Sequence, residues 1–282
     1  MSLPPWMKKK APDMGQLEKM KTRLDSLKLR TVCESAHCPN LSECFGRGTA
    51  TVMIMGETCT RNCRFCAVDT GVPLPLDSNE PLSVAELAHS LNLKHVVITS
   101  VTRDDLVDGG AGHFAQTVES VRTVAPTSTI EVLVPDFQGD YSALALLVAS
   151  KPHIVSHNLE TVPRLYTKVR PQADYRRSLD LLNEAKKLDS SIFTKSGIMV
   201  GLGENENEVF TLMDDLLSVG CDIMTIGQYL RPSDDHLALE EYVQPEVFDH
   251  YARVGEQKGF KFVYSAPLVR SSYNADQFFK AR

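Results

Sequence analysis

From residue 51 onward, the chain alternates between short apolar runs and longer stretches with apolar residues at helical spacing. TVMIM at 51–55 and HVVITSV at 95–101 have the length and the β-branched composition of buried strands. Apolar strands that are separated by helices are typical of parallel sheets with helices packed on the outside. The pattern therefore predicts an α/β fold.

Seven strands and seven helices are predicted in this way. The strands are 51–55, 95–101, 129–134, 153–156, 193–200, 222–229 and 261–265. The helices are 14–29, 83–91, 112–124, 141–149, 174–188, 206–219 and 245–257. Ser83 and Glu86 are expected to form a capping box at the start of the second helix. Six β/α units before the last strand indicate a partial TIM-like (β/α)6 barrel, with an active site at the carboxyl ends of the strands.

Three cysteines, Cys59, Cys63 and Cys66, follow the first predicted strand; we refer to them as the CxxxCxxC triad. Thiolates are the usual ligands of iron–sulfur clusters, one per iron, so three of them leave one iron of a four-iron cluster open. An open coordination position is typical of a catalytic metal site. The alternative is a structural zinc site, although zinc sites more often contain paired CxxC motifs.

Three further cysteines, Cys33, Cys38 and Cys44, precede that strand with the spacing CxxxxCxxxxxC; we refer to them as the N-terminal triad. The dipeptide PN at 39–40 predicts a loop here. A second metal cluster is one interpretation, and a zinc knuckle or a few cysteines of the core are the others. Because adjacent residues rarely bind the same ion, we interpret His37 as a bystander or as a neighbour of the ligands.

The two triads and three other motifs resemble the lipoyl synthase family of the radical S-adenosylmethionine superfamily. The CxxxCxxC motif with Phe65 before its last cysteine is similar to that of the superfamily, and HNLETV at 157–162, TKSGIMVGLGE at 194–204 and RSSY at 270–273 are similar to the family. The resemblance runs from about residue 30 to residue 275. It implies an N-terminal extension at 1–48, a barrel at 49–266 and a tail at 267–282.

The resemblance implies that the protein is a radical sulfurtransferase. Two sulfur atoms are inserted at C6 and C8 of an octanoyl chain that is amide-linked to a lysine of a carrier domain, and one S-adenosylmethionine is consumed per C–H bond broken. The [4Fe–4S] cluster of the CxxxCxxC triad generates a 5′-deoxyadenosyl radical. The N-terminal triad, with Ser272 as fourth ligand, binds an auxiliary [4Fe–4S] cluster that donates sulfur. Ser271 is the alternative ligand, and Arg270 holds the tail or assists this cluster.

Polar residues at the predicted strand ends are the candidates for binding S-adenosylmethionine. Thr99 and Ser100 are expected at its methionine end, Asn158 and Glu160 at its ribose and amino group, and Lys195 at its carboxylate. The candidates for lining the adenine are Gly197, Met199, Gln228 and Leu230. Each of these residues has the simpler alternative of a turn or helix-cap role.

Composition restricts the environment and the partners. The chain has 282 residues, 43% of them hydrophobic, and a net charge of -6, with no basic stripe for nucleic acid and no apolar run long enough for a membrane span. Six of the seven cysteines lie in the two triads, which favours metal binding in a reducing compartment, the cytoplasm, over disulfides. The seventh, Cys221, is expected to be a small buried residue.

The partners follow from the resemblance. They are an octanoylated carrier domain, of the glycine cleavage H protein or the 2-oxoacid dehydrogenase E2 type, and a reductant such as ferredoxin or flavodoxin. Basic residues that could meet an acidic carrier, or simply face solvent, are Lys168, Arg170, Arg176 and Arg177. The rival functions are a radical enzyme with an auxiliary electron-transfer cluster, a non-enzymatic iron–sulfur carrier and a zinc-stabilised binding module.

Overall fold

A computed structural model describes residues 3–8, 14–35, 38, 40–46, 51–273 and 278. Its strands are β1 (Arg30–Thr31), β2 (Thr51–Ile54), β3 (Thr58–Cys59), β4 (Asp69–Thr70), β5 (His95–Ser100), β6 (Thr129–Leu133), β7 (Ile154–Ser156), β8 (Phe193–Val200), β9 (Ile223–Gln228) and β10 (Phe262–Ser265). Its α-helices are α1 (Met14–Ser26), α2 (Val32–Ser35), α3 (Leu41–Gly46), α4 (Glu80–Ser90), α5 (Ala111–Val124), α6 (Tyr141–Ala149), α7 (Tyr166–Val169), α8 (Tyr175–Leu188), α9 (Glu206–Ser218) and α10 (Pro245–Lys258). From β2 to β10 the alternation has the predicted order.

The chain divides into two compact units. Unit A comprises residues 11–61, 67–155 and 274–282, and unit B comprises residues 1–10, 62–66 and 156–273. The division into an extension, a barrel and a tail that the sequence predicts remains a prediction.

Unit A contains strands in the order β1, β2, β5, β6 and β7. β1 is antiparallel to β2, whereas β2, β5 and β6 are parallel. Apolar side chains on both faces of these strands are buried, among them Val52 and Ile54 on one face of β2 and Met53 on the other. Helix α5 lies between α4 and α6 and buries Phe114 and Val118. Burial on both faces explains why these strands lack alternation in the sequence.

Unit B contains the parallel strands β8, β9 and β10. In this register Lys195, Gly197 and Met199 of β8 stand beside alternate residues of β9. Because side chains alternate along a strand, these three residues share one face of β8. Helix α8 packs on β8, and α10 packs on β9 and β10.

Two sequence predictions about helices are wrong. Helix α4 begins at Glu80 instead of 83, with Asn79 as N-cap and a proline in its first turn, so the capping box of Ser83 and Glu86 is absent. Proline fits the first turn because its missing N–H has no partner there in any case. The capping box of this chain that the structure contains is formed by Asn205 and Glu208 in α9.

The second wrong prediction is the loop at the N-terminal triad. The segment contains the short helices α2 and α3, and the Cys44 amide donates to the Asn40 carbonyl at 2.9 Å, as in a helix. In the sequence, the dipeptide at 39–40 falls between these two helices, and Asn40 lies in a turn. The break that it predicts is therefore local and does not exclude helices on either side. In the described part of the chain, no helix is long and apolar enough to cross a membrane.

Candidate active site

The N-terminal triad is brought together in unit A. Cys33 lies in α2, Cys44 lies in α3, and the Cys38 amide between them donates to the Cys33 carbonyl at 2.9 Å. A hydrogen bond with the Cys38 thiol and then burial raise the pKa of the Cys33 thiol, and the Cys44 thiol also contributes. The Cys33 thiol thus interacts with both other thiols of the triad, and three thiolates form a soft donor set that fits an iron–sulfur cluster. His37 lies outside the described residues.

Cys59 of the CxxxCxxC triad lies in unit A, at the end of β3. Its Sγ accepts hydrogen bonds from the amides of Thr102 at 3.2 Å and Arg61 at 3.4 Å. Its carbonyl accepts from the Gly71 amide at 3.0 Å. Amide donors that point at a thiolate stabilise its negative charge, so this sulfur is prepared to act as a metal ligand.

Cys63 and Cys66 belong to unit B. The Cys66 amide donates to the Cys63 carbonyl at 3.0 Å, which closes a turn between them. His236 Nε2 donates to the Cys66 carbonyl at 3.0 Å, and the Arg64 amide donates to the Val169 carbonyl at 3.0 Å. The turn is therefore fixed by hydrogen bonds of its backbone.

The seven cysteines, all within the described part of the chain, form no disulfide. Among the same residues, no group of three or more Cys, His, Asp or Glu side chains converges on the position of a single metal ion. A four-iron cluster takes one thiolate per iron, so its ligands need not meet at one point.

Glu160 follows β7 and extends the pairing with β8 beyond the regular strand. This residue forms a parallel bridge with Ile198 of β8, and its amide donates to the Gly197 carbonyl at 3.0 Å. Its φ of 67° is uncommon for a residue with a side chain. The Arg170 guanidinium donates to the Asn158 carbonyl at 2.7 Å and so holds the segment in place.

The Glu160 carboxyl is electrostatically unusual. Burial raises its pKa, and the charges of Arg170 and Arg270 with a hydrogen bond from Asn158 oppose that shift only in part. Because desolvation disfavours the charge of this half-buried carboxyl, a positively charged ligand group would stabilise its anionic form.

Unpartnered polar atoms mark the strand ends. Among the described residues, the buried oxygens Ser156 Oγ, Asn158 Oδ1 and Ser265 Oγ of unit B and Ser100 Oγ of unit A have no hydrogen-bond partner. All four lie at or just after the carboxyl end of a strand. Since buried polar groups in proteins are nearly always paired, these atoms are available to a bound ligand.

Gly197 adds a shape constraint at the same place. A Cβ at this position would lie 2.5 Å from Thr225 Oγ1 and 3.0 Å from Asn158 Oδ1. The glycine is therefore required because Thr225 and Asn158 approach the backbone of β8 closely, and a larger residue would displace them. With the acid at 160, the unpartnered oxygens of Ser156, Asn158 and Ser265 in unit B offer polar contacts that fit the amino, carboxylate and ribose groups of S-adenosylmethionine.

Comparisons with known proteins identify the family. The profile of the Radical SAM superfamily matches residues 53–216, and that of the N-terminal domain of lipoyl synthase of the Radical SAM family matches residues 1–38. Lipoyl synthase from Caldanaerobacter subterraneus subsp. tengcongensis is 58% identical over 273 residues, which cover 97% of this chain and 95% of that protein.

The chain belongs to the lipoyl synthase family. A second relative, lipoyl synthase from Nitratidesulfovibrio vulgaris, is 52% identical and covers 100% of this chain and 94% of its own length. The crystal structure of HydG, a maturase of the [FeFe]-hydrogenase, has a TM-score of 0.60 at 16% identity and covers 88% of this chain and 65% of that chain. This last likeness shows the fold alone, and it confirms the predicted α/β class of the partial TIM-like (β/α)6 type.

Family membership confirms three other predictions. The chain is a radical SAM enzyme of the sulfur-inserting type, and its function is that of a lipoyl synthase. Its cofactors are [4Fe–4S] clusters and S-adenosylmethionine. Membership of the family does not assign roles to individual residues. In the structure, some of the predicted site residues have unpartnered polar atoms, and others are hydrogen-bonded to the backbone.

Several residues predicted to bind the cofactor make hydrogen bonds within the lipoyl synthase chain itself. Thr99 Oγ1 donates to the Leu133 carbonyl at 3.0 Å, whereas the neighbouring Ser100 Oγ is unpartnered. Gln228 Nε2 donates to the Val200 carbonyl at 3.1 Å and to two other carbonyls, so this buried side chain holds backbone together. Ser100 thus remains the better candidate of its pair.

The other predicted residues of unit B lie along the same strands. Lys195 is buried in the amino half of β8, two residues before Gly197, and Met199 is half-buried near its carboxyl end. Leu230 is half-buried two residues after β9. Arg270 donates to the Gln228 carbonyl at 3.2 Å, and the half-buried Ser272 follows it in the tail.

Three charged residues have contacts that the sequence analysis does not predict. Arg61 and Asp136 form a buried ion pair at 2.6 Å in unit A. A signal was present, since Asp136 follows the predicted strand 129–134 as an acid at a strand end, and that strand end received no candidate. Arg170 was considered only for carrier contacts, yet its guanidinium holds the Asn158 segment.

Proposed function

We propose that this protein inserts sulfur at C6 and C8 of an octanoyl chain that is bound to a lysine of a carrier domain. The observation that carries the proposal is the assembled N-terminal triad, present in addition to the CxxxCxxC triad. A radical SAM enzyme needs one cluster to cleave its cofactor, and a second cluster gives it a source of sulfur atoms. Membership of the lipoyl synthase family supports a lipoyl-carrier protein as substrate.

The residues of the chain divide between two clusters and one cosubstrate. Cys59, Cys63 and Cys66 would hold the first cluster, while the N-terminal triad and Ser272 would hold the auxiliary cluster. When bound, the first cluster and S-adenosylmethionine supply a radical that takes hydrogen from carbon, and the auxiliary cluster supplies sulfide. Serine oxygen is a harder ligand than thiolate, which suits an iron that must leave.

The remaining candidates bind and orient the cosubstrate. Ser100 and Asn158 offer unpartnered oxygens, and Glu160 offers a carboxylate to a positive group. Gly197, whose missing side chain lets Asn158 approach β8 closely, would line the adenine. Apolar residues around these strand ends exclude water, which protects a carbon radical from side reactions.

The partners and the compartment are the remaining parts of the proposal. The carrier is of the glycine cleavage H protein or the 2-oxoacid dehydrogenase E2 type, the reductant is ferredoxin or flavodoxin, and the protein acts in the cytoplasm. Of the basic residues considered for a carrier face, Lys168 pairs with Glu240 at 3.4 Å and Arg176 pairs with Asp180 at 3.1 Å. Exposed pairs such as these are screened by salt, so a contribution to carrier binding should weaken as ionic strength rises.

The test is sulfur transfer from labelled clusters under anaerobic conditions. The wild-type protein, reconstituted with isotopically labelled sulfide, is expected to give a lipoyl product carrying two labelled sulfurs in the mass spectrum of an octanoyl-lysine peptide. Cys38→Ala and Ser272→Ala should still form 5′-deoxyadenosine, because the CxxxCxxC triad is intact, but give little lipoyl product. Ser272→Cys, a softer ligand, should accumulate the product with one sulfur.

Two results would contradict the proposal. Hydrogen abstraction without any transfer of labelled sulfur in the wild type would favour a radical enzyme with an electron-transfer cluster. A normal lipoyl yield from Ser272→Ala would remove Ser272 as a ligand and direct attention to Ser271.

A further inference from the structure

Arg61 lies inside the CxxxCxxC loop, and its guanidinium is almost completely buried. Nε and Nη2 donate to the two carboxylate oxygens of Asp104 at 2.6 and 2.9 Å, and Nη2 also donates to Asp136 Oδ1 at 2.6 Å. The side chains of Arg61 and Asp136 are 5% and 0% exposed. One planar guanidinium thus joins two carboxylates, a geometry that the point charge of lysine cannot reproduce.

The two carboxylates attach the loop to the ends of two strands. Asp104 follows β5, and its amide donates to Thr60 Oγ1 at 3.1 Å, beside the Thr60 amide that donates to the Thr102 carbonyl at 3.1 Å. Asp136 follows β6 and accepts from the Gln138 amide at 3.0 Å. The loop residues 59–61 are therefore fixed against two neighbouring strands of unit A.

The same residues surround the sulfur of Cys59. The two amides that donate to Cys59 Sγ belong to Arg61 itself and to Thr102, whose carbonyl holds Thr60. Hydrogen bonds to the sulfurs of an iron–sulfur cluster are among the factors that set its reduction potential. They stabilise the reduced form more, because that form carries the additional negative charge.

We propose that Arg61 is a positioning residue that holds these two N–H···S hydrogen bonds and thereby sets the reduction potential of the cluster bound at Cys59. Asp104 and Asp136 are its partners in this role. The inference rests on the proposed function, since it requires that Cys59 bind the radical-generating cluster. Without the guanidinium, the amides of Arg61 and Thr102 no longer hold hydrogen-bonding geometry to Cys59 Sγ, and the reduction potential of the cluster becomes more negative.

The experiment is a reductive titration of the full-length protein with both clusters, followed by electron paramagnetic resonance. The signal that changes when S-adenosylmethionine is added belongs to the cluster with the open iron, and its midpoint potential is measured. R61K keeps the positive charge but loses the guanidinium. We expect a shift of about 59 mV to more negative potential, which corresponds to a tenfold change in the one-electron equilibrium constant, with iron and sulfide contents equal to those of the wild type.

R103K is the matched control. Arg103 is also a buried arginine with a two-point contact to an aspartate, Asp105, but its remaining side-chain bond goes to the Met55 carbonyl. Its replacement should leave the potential unchanged. An equal shift in R103K and R61K, or no shift in R61K at full iron content, would overturn the inference.

A second variant keeps the test decisive if R61K loses its cluster. D104N removes a negative charge, so electrostatics alone would make the potential more positive, whereas a loosened Arg61 would make it more negative. A negative shift supports the inference, and a positive shift or none overturns it. If the wild type itself shows no signal that responds to S-adenosylmethionine, the proposed function fails instead, which is a separate outcome.

Discussion

The two ends of the strands in unit B hold acids whose pKa values are shifted in opposite directions. At the amino end, Asp222 precedes β9 and accepts hydrogen bonds from Lys186, Lys261 and the Thr194 amide. Burial alone would raise the pKa of Asp222, but these bonds outweigh it and hold that pKa below its usual value. At the carboxyl end, burial dominates and holds the pKa of Glu160 above its usual value.

The difference separates stability from function within one set of strands. Around Asp222 the chain supplies the partners of its own charges, so this end is complete without a ligand. Around Glu160, by contrast, Ser156, Asn158 and Ser265 retain unpartnered oxygens. Destabilising features of this kind are maintained at sites where a ligand provides what the chain does not.

The largest effect is expected from the cysteines. Cys221 lies beside the amino end of β9, where burial raises its pKa to about 12, so it stays a thiol. Cys63→Ala should abolish cleavage of S-adenosylmethionine and remove about half of the iron, because only the N-terminal triad is left complete. Cys221→Ala should retain both. Iron analysis and the yield of 5′-deoxyadenosine measure these outcomes, and 5′-deoxyadenosine from Cys63→Ala would refute the ligand role.

The next effect concerns stability at the amino end. Asp222→Asn breaks a buried ion pair and should lower the free energy of unfolding by about 3 kcal/mol. The pKa of Asp222 is depressed in the folded state, so its contribution is present above the unfolded pKa of about 3.9 and is lost as the pH falls through the lower folded value. Thermal unfolding of both proteins at neutral and acid pH should therefore show a difference that shrinks in acid. The affinity for S-adenosylmethionine should be unchanged, and a large loss of it would break the separation of the two ends.

A smaller effect with the opposite pattern is expected for Glu160→Gln. Loss of a hydrogen bond to a charged group costs about 1.5–3 kcal/mol, so S-adenosylmethionine should bind roughly tenfold to a hundredfold more weakly in equilibrium dialysis. The pKa of Glu160 is raised in the folded state, so the wild type loses stability as the pH rises from the unfolded value of about 4.3 through the folded one. The glutamine variant avoids that loss.

Its melting temperature at neutral pH should therefore equal or exceed that of the wild type. A lowered melting temperature together with unchanged binding would make Glu160 a structural residue and would remove the contrast with Asp222.

The sequence was sufficient for the seven strands β2 and β5 to β10, whereas the two-residue strands β1, β3 and β4 were not predicted. The apolar run at 51–55 covers β2 because a strand that is buried on both faces leaves a continuous apolar segment. Two local predictions differ from the structure: the PN dipeptide predicts a loop where short helices lie on either side of it, and Ser83 is predicted as the N-cap of a helix whose N-cap is Asn79. Both errors concern the ends of elements, which single-residue signals determine weakly.

The partners of buried polar side chains were beyond the sequence. Gln228 looked like a residue of the adenine site, but the carbonyls that it binds come from as far along the chain as Glu241. Arg61 is not identified from the sequence, because a charged residue between two cysteines is usually solvated. The carboxylates of Asp104 and Asp136 follow two different strands and become its neighbours only in the folded chain. Contacts over such separations depend on the tertiary fold, and a local pattern does not encode them.

Gly227 of β9 restricts what variation this chain can accept. A Cβ there would lie 2.0 Å from the Val269 carbonyl oxygen, at the start of the segment that carries Arg270 and Ser272. Every substitution of this glycine introduces a Cβ, so no other amino acid avoids the clash with the Val269 carbonyl oxygen. A single methyl group on a central strand would displace a tail encoded far downstream. The position of the tail therefore depends on a residue that has no functional side chain itself.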